Sequence, residues 1–135
     1  MGLIILIAEE EDILAKTIAG KLNNYSTQHL IDIETSCEID FRRIPEFVNR
    51  YQPHIIFLDT LWQGNLLGPR IYDLLKAHFI NDDYDPIIFG MSALLEYKIE
   101  WKKRGVPFLL KPNDLEPEVL GRHLDEALAF KPQTY

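Results

Sequence analysis

Four apolar runs in this sequence end on residues able to do ionic or nucleophilic work. Ile55-Ile56-Phe57-Leu58 runs into Asp59, Leu3–Ala8 into Glu9 and Glu10, Ile87–Met91 into Ser92, and Val106–Leu110 into Lys111 and Pro112. An apolar run without alternation reads as a strand buried on both faces, and in open α/β sheets the ligand crevice lies at the carboxyl ends of the strands. If the runs share one parallel sheet, their terminal polar groups meet at one rim. Three carboxylates at close quarters repel, and their pKa values rise unless a cation compensates. Hard oxygen donors, few in number and leaving room for waters, suit Mg²⁺. Lys111 is a point charge long enough to reach a phosphate oxygen, and Ser92 offers a hydroxyl donor. A carboxylate held this way can attack phosphorus and form an aspartyl phosphate, a reaction governed by positioning and charge neutralisation. Alone, Asp59 reads as a polar residue ending a strand in a turn; the site reading rests on the group.

The elements between these runs are those a parallel sheet needs. After the acidic stretch 9–12, favourable at the positive end of a helix dipole, Ile13, Leu14, Thr17, Ile18 and Leu22 recur at helical spacing, and Asn23-Asn24 reads as the stop. Leu30–Ile33 alternates and reads as a short strand near a sheet edge. A helix over about 40–51 would turn Ile44, Phe47 and Val48 inward, with Pro45 tolerable only in its first turn. Beyond Asp59, residues 61–65 read as a loop and about 67–79 as a helix carrying Ile71, Leu74 and Leu75. A polar, Pro-terminated loop follows at 81–86. A helix over about 93–104 ends at Gly105, and the last, about Pro117 to Phe130, carries Val119, Leu120, Leu124 and Leu128. Five strands alternating with five helices indicate right-handed βαβ units and a doubly wound α/β domain.

Composition narrows the classes. The 135 residues suit one domain, and 47% hydrophobic with 26% charged residues is ordinary for a globular protein. A net charge of -7 argues against binding nucleic acid by phosphate neutralisation. The run 3–8 is far shorter than a membrane span and lacks the flanks of a signal peptide, so a cytoplasmic location is expected. Cys37 is the one cysteine, which precludes an internal disulfide and fits a reducing compartment. His29, His54, His78 and His123 share no metal-ligand spacing. The run Lys102-Lys103-Arg104 reads as a solvated helix end or, with Tyr97 and Trp101, as a partner-facing patch.

The order Glu9-Glu10, Asp59, Ser92-Ala93 and Lys111-Pro112, each at a strand end, resembles the receiver domain of two-component response regulators over essentially the whole chain. The resemblance implies a single (βα)5 flavodoxin-like three-layer sandwich over 1–135, with a core at about 3–130, parallel strand order 2-1-3-4-5 and no output domain. It implies Asp59 as phosphoacceptor, and Glu9, Glu10, Asp59 and the Leu61 backbone carbonyl as Mg²⁺ ligands. Lys111 and Ser92 would hold the phosphoryl group, Ser92 and Phe108 would switch, and the Lys111–Pro112 bond would be cis. The donor would be a histidine kinase or phosphotransfer protein and the output a downstream protein target. The chain would be a monomer or a phosphorylation-dependent dimer, with no nucleic acid or membrane involved. Its only catalysis would be Mg²⁺-assisted self-phosphorylation and autodephosphorylation.

The sequence also departs from that pattern. The family usually carries Asp, or Glu then Asp, where this chain has Glu9 and Glu10. Mg²⁺ demands near-octahedral geometry at roughly 2.0–2.1 Å, so two longer arms imply weaker binding. The loop after Asp59, Gln63-Gly64-Asn65-Leu66-Leu67-Gly68, lacks the family's Pro and acid and is one residue longer. Trp62 in that loop reads as a packing residue or as a shield over the phosphoryl group. These departures keep open a pseudo-receiver, which would dock partners constitutively around a fixed salt-bridge network. A flavodoxin-like flavin site is disfavoured because the turn after the first strand is acidic, where a flavin phosphate needs amides and hydroxyls.

Overall fold

Strand β3 (Ile55–Asp59) is the axis of the molecule, with Ile55 to Leu58 wholly excluded from solvent. The computed structural model describes residues 2–129. Along the chain run β1 (Leu3–Ala8), α1 (Asp12–His29), β2 (Ile33–Glu38), α2 (Ile44–Tyr51) and β3. A two-strand ribbon of β4 (Leu61–Trp62) and β5 (Asn65–Leu66) precedes α3 (Gly68–His78). Then come β6 (Ile87–Ser92), α4 (Lys98–Lys102), β7 (Phe108–Leu110) and α5 (Pro117–Ala129). The main sheet is parallel in the order β2-β1-β3-β6-β7, which is the expected 2-1-3-4-5 arrangement once the ribbon is set aside.

Successive side chains of a strand point to opposite faces, so each central strand feeds two cores. Ile5, Ile7, Ile55, Phe57, Phe89 and Met91 pack against α1 and α5. Leu6, Ala8, Ile56, Leu58 and Ile88 pack against α2, α3 and α4 with Trp62 and Trp101. This two-sided burial explains why those strands show no alternation. It also supplies most of the stability, at about 1.5–3 kcal/mol for each large apolar side chain removed from water.

Several boundaries differ from the sequence reading. Helix α1 does not stop at Asn23-Asn24. It continues to His29 because Tyr25 is buried, stacks on the His29 ring at 4.0 Å and donates its hydroxyl to Asp125 of α5. Consequently Leu30 is not in a strand. It caps α1 in the left-handed region at φ 54 and is 94% exposed. β2 begins at Ile33 and pairs with β1 from Leu3↔Ile33 to Ala8↔Glu38. Ile13 and Leu74, both part of the apolar spacing that marked their helices, are exposed. The fourth helical region is a 3-10 turn at Leu95–Tyr97 followed by only Lys98–Lys102. β7 spans three residues, starting after Pro107. The expected loop at 61–65 is the β4–β5 hairpin, whose turn residues Gln63 and Gly64 both have positive φ, as tight hairpins require. Phe130 lies outside the described residues.

Candidate phosphoacceptor site

The parallel register brings the sequence-predicted groups to one rim. Asp59 is the last residue of β3 and pairs in register with Met91, so Ser92 lies one step further along β6. Ser92 pairs with Leu110, and the Lys111 amide donates to the Ser92 carbonyl at 2.8 Å. β1 delivers Glu9, whose amide donates to the Glu38 carbonyl.

The centre of the site is Lys111. Its Nζ donates to Glu9 Oε1 at 2.6 Å and to Asp59 Oδ1 at 3.0 Å, joining strands that lie 102 and 52 residues away in sequence. Glu9 is 1% exposed and Asp59 7%. Two carboxylates at such burial need a cation, and the ammonium supplies one charge for two. The imbalance appears in the protonation. Burial pushes Asp59 from its ordinary 3.8 up to about 8, and the hydrogen bond with Glu9 adds to the rise, outweighing Lys111. Burial also pushes Glu9 up, but its hydrogen bonds with Asp59 and Lys111 outweigh that and hold it below the ordinary carboxylate value. Burial lowers the Lys111 ammonium, yet Asp59 and Glu9 together hold it above the ordinary value. The two carboxylates are thus pushed apart, Asp59 upward and Glu9 downward, around the one ammonium they share.

The remaining expected residues are placed as follows. Glu10 is exposed and turned aside, both carboxylate oxygens accepting the Gln63 amide at 2.8 and 3.0 Å. Ser92 is 4% exposed, its hydroxyl accepting the Leu94 amide at 3.0 Å. Phe108 is half-buried against the core that contains Trp101. The Lys111–Pro112 peptide is cis. Trp62 is 1% exposed and its indole N–H donates to the Asp59 carbonyl at 2.9 Å, so it is a core residue behind Asp59 and not a cover over its carboxylate. Trp101, read above as part of a partner patch, is fully buried. Arg104 is held in a two-pronged pair with Asp73 at 2.8 and 2.9 Å.

Thr60 is the residue that sequence reasoning missed. It is fully buried, its amide lies 3.0 Å from Asp59 Oδ1, and its hydroxyl accepts the Trp101 indole N–H at 2.8 Å. The available signal was Gly90 inside the apolar run Ile87–Met91, since a strand glycine marks a close approach. The Trp101 indole fills that approach, and a Cβ at position 90 would lie 2.2 Å from it.

Among the described residues no three His, Cys, Asp or Glu side chains converge as a metal cluster. Mg²⁺, however, is commonly held by one or two carboxylates with waters and phosphate oxygens. Glu9 and Asp59 supply two such oxygen donors side by side and fit that role. Glu10 would join them only by releasing Gln63.

No protein-family model matches this sequence, and no curated protein matches it. Solved structures do match. The BeF3-activated N-terminal receiver domain of Klebsiella pneumoniae RstA superposes with a TM-score of 0.73 at 21% identity, covering 93% of this chain and 97% of that one. The chain has the fold of a response regulator receiver domain. The receiver domain of NtrX from Brucella abortus gives a TM-score of 0.72 at 22% identity, over 94% of this chain and 99% of that one. The receiver domain of a Pseudomonas aeruginosa sensor histidine kinase, solved with a magnesium ion coordinated in its active-site cleft, gives 0.74 at 17%, over 96% and 99%. Within this receiver fold the carboxyl-rim cluster of Glu9, Asp59 and Lys111 is the candidate site. Among the described residues no helix is long and apolar enough to cross a membrane.

Proposed function

We propose that this chain works as a phosphorylated receiver, taking a phosphoryl group on Asp59 from a histidine kinase or phosphotransfer protein and signalling through a protein partner. The observation that carries this reading is the half-buried Lys111 ammonium bridging Glu9 and Asp59 at the carboxyl rim of a receiver-fold sheet. An oxygen of the ionised Asp59 carboxylate attacks phosphorus in line as the phosphorus–nitrogen bond of a phosphohistidine breaks, and the imidazole leaves with the electron pair. Lys111, already within hydrogen-bond reach of both carboxylates, neutralises the oxygens of the transferred group. Ser92 exchanges its bond to the Leu94 amide for one to that group, and Phe108 follows inward. Glu9 and Asp59 would hold Mg²⁺, with Glu10 and the Leu61 carbonyl completing the set; when bound, the ion neutralises phosphoryl charge and lowers the Asp59 pKa. The upward shift of the Asp59 pKa gives that ion a defined task, since a protonated carboxyl is not a nucleophile.

Intact mass after incubation with a small acyl phosphate and Mg²⁺ tests this. One phosphoryl group on the parent and none on Asp59→Asn is the expected outcome. No addition to the parent across several donors, at high Mg²⁺ or with Mn²⁺, overturns the proposal in favour of a constitutive docking module.

A further inference from the structure

Helix α4 has five residues, with Ile99 open to solvent, and the 3-10 turn that leads into it exposes Leu94 and Leu95 beside it. Its one wholly buried side chain is Trp101. The indole lies flat in the space left by Gly90 and meets Tyr72 edge-on at 6.2 Å. Its N–H goes to the Thr60 hydroxyl, which in turn donates to the Met91 carbonyl at 2.6 Å. The Thr60 amide lies 3.0 Å from Asp59 Oδ1, the same oxygen that accepts Lys111, and also donates to Met91 at 2.9 Å. A continuous buried chain of hydrogen bonds therefore runs from the acceptor carboxylate to the anchor of α4.

We propose that Thr60 and Trp101 couple the state of the Asp59 carboxylate to the seating of α4. This line is separate from the one through Ser92 and Phe108, and its use in signalling rests on the proposed phosphorylation of Asp59. Any group on Asp59 Oδ1 removes or redirects one of the two acceptors of the Thr60 amide and leaves that amide on the Met91 carbonyl, which the Thr60 hydroxyl shares. Thr60 has no solvent to turn to, so its hydroxyl and the indole bonded to it must adjust together. Because α4 has one buried anchor, an adjustment of Trp101 becomes an adjustment of the helix and of the apolar residues that ride on it.

Amide hydrogen exchange on the full chain tests the coupling. The reporters are the amides of Lys103, Arg104 and Val106, which donate to the carbonyls of Ile99 and Trp101, read against amides of β1 as a reference. In the parent, Asp59→Ala should speed their exchange roughly twofold to tenfold, the weight of one buried hydrogen bond. In a Thr60→Val background, where the hydroxyl is gone, Asp59→Ala should add nothing, and Thr60→Ser should restore the effect. Trp101→Phe, which keeps a ring and loses the N–H, should behave as Thr60→Val does. An Asp59→Ala effect equal in all backgrounds, or absent in the parent, overturns the coupling. Since this arm needs no phosphoryl transfer, coupling without labelling would remove the proposed function and leave the relay standing. Labelling without coupling would do the reverse.

Discussion

At Asp59 the balance of one ammonium against two buried carboxylates decides the chemistry. Lys111 bonds both, and its single charge does not offset the burial and the bond with Glu9 that push the Asp59 pKa up to about 8. A second consequence concerns Glu10. Its carboxylate is occupied with the Gln63 amide, so recruiting it to an ion costs that interaction in addition to fitting a longer arm. Glu10→Asp shortens the arm and loosens its hold on the turn. Titration with Mg²⁺ should then show tighter binding than in the parent, and an unchanged affinity would remove Glu10 from the ion's shell.

At the scale of elements, two positions carry measurable backbone and packing costs. Leu30 occupies the left-handed region with its side chain 94% exposed, so it has strain and almost no contact to lose. Leu30→Gly should raise stability by about 0.5–1 kcal/mol in chemical denaturation, through relief of the backbone penalty. Gly90 is the opposite case. A methyl there would meet the Trp101 indole at 2.2 Å, and the indole is enclosed between the sheet and α3. Gly90→Ala should cost about 1–3 kcal/mol, and near-ultraviolet circular dichroism should report the displaced indole. The elements differ in how far the sequence revealed them. The double-faced strands and the helices between them followed from apolar runs and 3.6-residue spacing. The end of α1 and the start of β2 did not, because polar Asn23-Asn24 and apolar Leu30–Ile33 each gave a local signal that the Tyr25–Asp125 contact across helices overrides.

For the whole molecule, the buried site ties fold stability to pH. Asp59 titrates higher folded than unfolded, so the folded chain retains a proton that the unfolded chain releases above 3.8. The stability linked to that proton is complete below this value and is lost as pH rises through about 8. Denaturation curves should show the parent losing stability through that window. Asp59→Asn, neutral throughout, should lack this component, and a parallel decline in both proteins would contradict the assignment. A cation or a phosphoryl group placed at this rim would act on the same balance, since either changes the charge that the fold must hold.

The sequence by itself determined the layered parallel sheet, the rim at which Asp59, Glu9, Ser92 and Lys111 would gather, and the alternation of faces behind it. Those features follow from local periodicity and from the fact that parallel strands share a carboxyl end. Only the tertiary structure decided which of the gathered groups touch. Lys111 chose Glu9 and Asp59, Glu10 went to a hairpin turn that no periodicity announces, and two tryptophans from β4 and α4 closed behind Asp59. Such contacts depend on side-chain reach across strands up to 102 residues apart, and on space left by a glycine, neither of which is a property of any one stretch of chain.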